Sequence, residues 1–115
     1  MQPPGWHSLV PRIVADDARG LVSFLVVAFD ARGEYSGERP TVLELGDSRI
    51  MISETGPRPA IPAFLYFYVD DADAAYARAI AAGATSLEAP VDTPYGDRRA
   101  MVEDRWHNVW QLATR

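Results

Sequence analysis

A short acidic motif occurs twice in this chain, and its spacing limits the folds that the chain can adopt. The segments 15–18 (Ala-Asp-Asp-Ala) and 69–72 (Val-Asp-Asp-Ala) place their first acids, Asp16 and Asp70, 54 residues apart, close to half of the 115 residues. Each copy ends an apolar run suited to a strand and opens a helix-like stretch, where paired acids can cap the helix N-terminus and favour its dipole. The repeat therefore predicts a fold built by duplication.

Hydrophobic spacing predicts the same order of elements in both halves. The first half reads as a strand at 9–14, a helix at 17–29 with one apolar face, and strands at 31–35, 41–45 and 49–53. The second half reads as a strand at 64–69, a helix at 72–82 ended by Gly83, and strands near 85–88, 100–102 and 108–113. We expect one domain over 1–115, with halves of about 6–55 and 63–115 and a proline-rich linker at 56–62.

Composition excludes several classes of protein. The chain contains no Cys, so a disulfide scaffold, a thiolate nucleophile and a Cys-ligated zinc site are all excluded. Its formal net charge of -5 argues against nucleic acid as a partner, because such binding requires a basic surface. No segment approaches a membrane span and the first residues do not resemble a signal peptide, so we expect a cytoplasmic protein with no membrane partner.

Two tandem strand–helix–three-strand units, closed by an Asp-turn-Asn-x-Trp segment, resemble the vicinal oxygen chelate superfamily of glyoxalases, bleomycin-resistance proteins and extradiol dioxygenases. The resemblance covers nearly the whole chain and rests on the order of Ala28-Phe29, Gly46-Asp47-Ser48, the stretch 69–84, Tyr95-Gly96-Asp97-Arg98 and the stretch 104–110. It implies an α+β fold in which two βαβββ units form a curved mixed sheet around a pocket. It also implies a homodimer.

In metal-using members, the resemblance implies ligands on the first strand of each half, usually His, and a Glu on the last strand. The matching first-strand positions hold Val10 and Phe64, and the last-strand position holds Gln111, while the first-half equivalent of the Glu falls near Met51 or Ser53. A divalent site needs three or more donors of suitable charge. The sequence therefore predicts no metal and no cofactor.

Two histidines carry alternative interpretations. His7 lies three residues before the ligand position, and an odd shift along a strand reverses the face that a side chain occupies. His107 stands where the resembling family has Gly in its turn, which favours a turn or pocket-rim residue over a catalytic base. Glu44, Asp97 and Glu103 read as surface acids, and no catalytic residue is assigned.

Alternation along the strands identifies the candidate pocket. Phe64, Tyr66 and Tyr68 share one face of their strand, either as an aromatic wall for a planar ligand or as core. Arg12, on the corresponding face of the first strand, reads as a buried guanidinium that needs Glu44 or a ligand anion as its partner. The candidate ligand-binding residues are Arg12, Phe64, Tyr66, Tyr68, Tyr95, Arg98, Trp106 and Gln111.

The sequence thus favours a metal-independent protein that binds a small planar or aromatic molecule as a homodimer. The first alternative is a metal-dependent lyase, isomerase or dioxygenase-like enzyme, with a rearranged site that combines His7 or His107 with Glu44 or Glu103. The second alternative is a structural or regulatory dimer without a pocket. Fold in such a superfamily does not determine the chemistry, so the identity of the ligand stays open.

Overall fold

The computed structural model describes all 115 residues and contains two successive units of the same plan. The first unit consists of β1 (Arg12–Ala15), α1 (Ala18–Phe29), β2 (Thr41–Leu45) and β3 (Ser48–Glu54). The second consists of β4 (Phe64–Tyr68), α2 (Ala72–Ala81), β5 (Thr85–Asp92), β6 (Arg98–Glu103) and β7 (Val109–Thr114). The predicted α+β duplication is confirmed. No helix is long and apolar enough to cross a membrane.

The strands form two mixed sheets that meet at one junction. The first sheet has the order β1-β3-β2 and the second has the order β4-β7-β6-β5. In each sheet, the unit's first strand pairs parallel with its last strand. Two backbone hydrogen bonds between Val14 and Ile61 connect β1 to the segment that leads into β4. The linker therefore also joins the two sheets.

The strand expected at 31–35 is reduced to a single bridge. Arg32 and Glu44 exchange backbone hydrogen bonds of 2.9 and 2.8 Å, but no further pair follows. The next residue, Gly33, has φ of 138°, and a Cβ there would lie 2.6 Å from the carbonyl oxygen of Val42. This backbone conformation turns the chain away from β2, which leaves the first sheet with three strands.

The repeated acids begin both helices, as the sequence predicts. The Asp17 side chain accepts a hydrogen bond from Gly20 N at 3.1 Å, and the Asp71 side chain accepts one from Ala74 N at 3.1 Å. In the first unit, Glu54 at the end of β3 also accepts from the amide of Ala18 at 2.9 Å. These bonds satisfy amide groups that have no partner within the helix.

Helices α1 and α2 pack against each other and against one face of each sheet. The core side chains on this helix-facing side include Ile13, Leu43, Ile50, Ile52, Val102, Trp110 and Leu112. Because both helices lie on this side, the opposite face of each sheet carries no helix, and alternate strand residues point toward it. We call these surfaces the first open face, on β1-β3-β2, and the second open face, on β4-β7-β6-β5.

The turn between β6 and β7 is organised by a buried carboxylate. Asp104, 3% exposed, accepts hydrogen bonds from the backbone of Trp106 and Asn108 and from Trp110 Nε1. Asn108 Oδ1 in turn accepts from Ala63 N at 2.8 Å, just before β4. His107 lies in this turn with φ of 69°, a backbone conformation that favours glycine. The turn therefore keeps a glycine-like backbone conformation although His stands at this position.

Candidate functional site

An exposed aromatic row lies along β4 on the second open face. The fractional exposures of Phe64, Tyr66 and Tyr68 are 68%, 39% and 55%. Since Leu65 and Phe67 between them pack against the core, alternation places the three exposed rings on the side away from the helices. The rings of Tyr66 and Tyr68 meet edge to face, with centroids 5.3 Å apart. The row is thus an accessible aromatic surface rather than core.

The hydroxyl groups of both tyrosines bind one buried carboxylate. Tyr66 Oη donates to Asp97 Oδ2 at 2.7 Å and Tyr68 Oη donates to the same oxygen at 2.8 Å. Arg115 Nε donates to the other oxygen, Asp97 Oδ1, at 2.8 Å. The Asp97 side chain is only 1% exposed. The expectation of a surface acid is wrong at this position, because the two phenol rings and the C-terminal guanidinium cover the carboxylate.

A second chain of polar contacts extends this network. The Tyr66 and Tyr95 hydroxyl oxygens lie 3.3 Å apart, and Arg99 Nη1 donates to Tyr95 Oη at 3.0 Å. Arg99 also forms an ion pair with Glu88, at 2.8 Å between Nη2 and Oε1. The single O–H donor of Tyr66 is used in its hydrogen bond to Asp97. In the contact between the two hydroxyl groups, Tyr95 is therefore the donor and Tyr66 the acceptor.

The network shifts the pKa values of its members in opposite directions. The Tyr66 hydrogen bond, with further bonds from Tyr68 and Arg115, lowers the pKa of Asp97 below its usual 3.8. Burial, with the hydrogen bonds to Tyr95 and Asp97, raises the pKa of Tyr66 well above that of a free phenol. At neutral pH, Asp97 is therefore an anion held by neutral tyrosine donors.

A cavity lies beside the aromatic row. It has a volume of about 380 Å³ and is lined by the β2–β3 turn and by β4, through residues Leu45, Gly46, Asp47, Ser48, Tyr66, Phe67 and Tyr68. This volume lies within the range of about 300–1,000 Å³ that is typical of small-molecule sites. A neighbouring cavity of about 320 Å³ shares Gly46, Phe67 and Tyr68 with it. A structural dimer without a pocket would require this space to be filled.

The structure brings together only part of the predicted site. Tyr95 joins the aromatic row through Tyr66, and Gln111 lies opposite Tyr66 in the register of β4 and β7. Arg98 lies on the helix side of β6, where it bonds Asp73 at 2.9 Å. Trp106 packs against Phe24 of α1, with ring centroids 6.3 Å apart. These last two side chains therefore lie away from the aromatic row.

Arg12 differs from its expected environment. It is exposed rather than buried, and its one side-chain hydrogen bond joins Nη2 to the sulfur of Met51 at 3.0 Å. Glu44, its expected partner, pairs instead with Arg32 at 3.0 Å. The hydrogen bond from Arg32 lowers the pKa of Glu44. The prediction of an Arg12–Glu44 pair is thus wrong, because β1 and β2 lie on opposite sides of β3.

Neither histidine forms a hydrogen bond with a residue of the aromatic row. His7 is exposed before β1, while His107 Nδ1 lies 2.9 Å from Glu103 Oε2 in the β6–β7 turn. Nowhere do three or more His, Asp or Glu side chains form a group that could hold a metal. Val10 lies before the first residue of β1, and Phe64 and Gln111 share the second open face.

Four residues of the network were missed as site residues by the sequence analysis: Glu88, Asp97, Arg99 and Arg115. Alternation from Met101 would have placed Arg99 on the second open face, had the strand been extended to its true start at Arg98. Arg115 follows the last strand and reaches Asp97 from there. The contact depends on the alignment of β6 with β7, since Arg98 pairs with Thr114 and Asp97 and Arg115 are the next residues in that register.

Comparison with known proteins places this fold among characterised families. The family described as the Glyoxalase/Bleomycin resistance protein/Dioxygenase superfamily matches residues 9–112. An uncharacterized protein of Mycobacterium bovis is 30% identical over 123 residues, covering 91% of this chain and 81% of that protein. A putative glyoxylase of Mycobacterium tuberculosis is 38% identical over 71 residues, which are 60% of this chain and 27% of that protein.

Solved structures share the same architecture. The crystal structure of TioX from Micromonospora has a TM-score of 0.81 at 24% identity and covers 94% of this chain and 98% of its own. The fosfomycin resistance protein FosX from Mesorhizobium loti has a TM-score of 0.73 at 21% identity, with 95% and 92% covered. At these identities the similarity shows the fold.

The depressed pKa of Asp97 predicts a specific acid sensitivity. The stability contributed by ionised Asp97 is present above about pH 4 and is lost as the pH falls through its lowered folded-state pKa. We expect Asp97→Asn to be less stable than the wild type at neutral pH but to lose less stability on acidification. Urea unfolding over a pH series measures this difference. Asp16→Asn, at an exposed acid, is the control, and an unchanged acid response in Asp97→Asn would contradict the assignment.

Proposed function

Because this chain belongs to the Glyoxalase/Bleomycin resistance protein/Dioxygenase superfamily, we propose that it binds a small planar or aromatic molecule on the second open face, without a metal. The observation that carries the proposal is the exposed row of Phe64, Tyr66 and Tyr68 beside a cavity of about 380 Å³. The row occupies a face that no helix covers. A flat ligand can therefore reach it directly.

The hydrogen bonds of the Tyr66 and Tyr68 hydroxyl groups limit how these residues can contact such a ligand. Asp97 accepts a hydrogen bond from each of Tyr66 and Tyr68, so both O–H donors already have a partner within the protein. What the tyrosines offer to a ligand is the faces and edges of their rings, which favour stacked or edge-to-face contact with another aromatic group. The Asp97 network also restricts the rotation of both rings, so less conformational entropy is lost when a ligand binds.

The residues at the former ligand positions support a site without a metal. Phe64 offers no donor atom, and Gln111 offers only a neutral amide, beside Tyr66 in the register. Phe64 instead supplies the most exposed ring of the row. The same positions therefore favour apolar and stacking contacts over the coordination of a divalent cation, which requires several N, O or S donors.

The neutral bicyclic fluorophore 2-naphthol tests this proposal. We expect saturable binding to the wild type, weakened about five- to tenfold by Phe64→Ala, since an aromatic pair contributes about 0.5–1.5 kcal/mol beyond its buried area. Tyr68→Phe should retain binding, because it keeps the ring and removes only the hydroxyl that faces Asp97. Fluorescence titration measures each affinity.

The matched control is Val27→Ala, which removes an exposed apolar side chain from α1 rather than from the second open face. It should bind 2-naphthol as the wild type does. Equal affinities for the wild type and Phe64→Ala, or an equal loss in Val27→Ala, would contradict the proposed surface. Circular dichroism on each variant separates a loss of binding from a loss of fold.

We further propose that the chain forms a homodimer. Leu9 and Ile61 are 83% and 45% exposed, and both belong to segments beside the junction of β1 with the linker. Grouped exposed apolar side chains of this kind mark protein–protein contacts. We expect sedimentation velocity to show a dimer that is weakened by Leu9→Ser but not by Val27→Ser on α1. A wild type that stays monomeric at every accessible concentration would contradict this.

A further inference from the structure

The first open face contains a buried donor that has no partner. Arg49 Nη1 is one of two buried side-chain polar atoms in the protein that make no hydrogen bond. Arg49 lies on β3 at an alternate position from Met51, so both side chains point away from the helices. A guanidinium normally satisfies its donors when they are withdrawn from water. This donor has no acceptor within the chain, while the Arg49 side chain as a whole is 26% exposed, so part of it stays accessible to an acceptor from outside.

A second guanidinium lies next to it on the same face. Arg12 is paired with Met51 in the parallel register of β1 and β3. Its one contact is to the Met51 sulfur at 3.0 Å, and thioether sulfur is a weak acceptor. Neighbouring strands lie about 4.8 Å apart and two residues span about 6.6 Å, so the Cα atoms of Arg12 and Arg49 are separated by roughly 8 Å. Side chains of this length can converge on one anion.

The nearby acid does not neutralise these groups. Glu44 is the only carboxylate within 4.0 Å of Arg12 or Arg49, at 3.8 Å from Arg49 Nη2. It lies closer to Arg32, at 3.0 Å. Glu44 is therefore shared by the guanidinium groups of Arg32 and Arg49, and Arg12 has no carboxylate within 4.0 Å. The local charge is positive although the whole chain has a formal net charge of -5.

The N-terminal segment covers this position. The Arg49 guanidinium lies over the ring of Trp6, 4.9 Å from its centroid. Gly5 packs so closely that an added Cβ would lie 3.4 Å from Arg49 Nη1, yet no oxygen of the segment accepts a hydrogen bond from that atom. The stacking orients the guanidinium and shields it from water, which strengthens its attraction for an anion.

We propose that Arg12 and Arg49 form an oxyanion site on the first open face, bounded by Trp6, for a carboxylate or phosphate group. Guanidinium groups match both anions because their paired N–H donors fit two oxygens at once. This site belongs to a different sheet from the aromatic row, so it does not depend on the function proposed above. Loss of anion binding at the first open face would therefore leave ligand binding at the aromatic row unaffected, and the reverse holds as well.

Inorganic phosphate is the first probe, with acetate as the carboxylate and chloride as the ionic-strength control. We expect phosphate or acetate to bind saturably to the full chain in calorimetry and to raise its melting temperature, whereas chloride at equal ionic strength does not. Arg12→Gln should weaken this binding at least about tenfold, as expected for the loss of a charge-assisted pair. Since Arg12 is exposed and contacts only Met51, this variant should fold normally.

Arg58→Gln is the matched control, because it removes the same charge from an exposed position in the linker. It should bind the anion as the wild type does. Arg49→Lys keeps the positive charge but removes the planar donor pair, so it should bind more weakly than the control. A wild type that shows no saturable response to either oxyanion would overturn the proposal. Equal losses in Arg12→Gln and Arg58→Gln would also overturn it, since they would indicate general charge attraction.

Discussion

The position of the aromatic row depends on the buried carboxylate of Asp104. Its oxygens accept hydrogen bonds from the amides of Trp106 and Asn108, from the Asn108 side chain and from Trp110 Nε1, so one group organises the whole β6–β7 turn. Asn108 then binds the amide of Ala63, which fixes the start of β4 beside β7. Since one residue of slippage would reverse every side chain on β4, this chain of bonds determines that Tyr66 and Tyr68 point toward Asp97.

The duplicated units keep their cores and differ on their open faces. Each unit places its helix on the same side of its sheet, and the two helices share one hydrophobic core. The open faces carry no such packing constraint, so their side chains are free to differ. The second open face has an aromatic row whose hydroxyl groups bind a buried carboxylate, while the first carries Arg12, and also Arg49, whose guanidinium stacks on Trp6. Two unlike surfaces on one repeated framework can serve two unlike ligand groups.

Much of the fold is predictable from the sequence, because its signals are local. The acidic pairs mark both helix starts, and alternation correctly places Phe64, Tyr66 and Tyr68 on one face. The site is less predictable because it depends on non-local alignment. Arg98 and Arg99 are adjacent in sequence, yet one bonds α2 and the other bonds Tyr95. Asp97 looks like a surface acid until Tyr66, Tyr68 and Arg115 are brought over it from two other strands.

We propose that the second open face binds its ligand through aromatic rings without a metal. Aromatic ¹³C NMR spectra, recorded during titration with 2-naphthol in the presence of a chelator, test it most directly. We expect the largest chemical-shift changes at the rings of Phe64, Tyr66 and Tyr68, with little change at Phe24 and Tyr35. Binding that appears only after nickel, zinc, manganese or ferrous iron is added, or shifts centred on other rings, would contradict it.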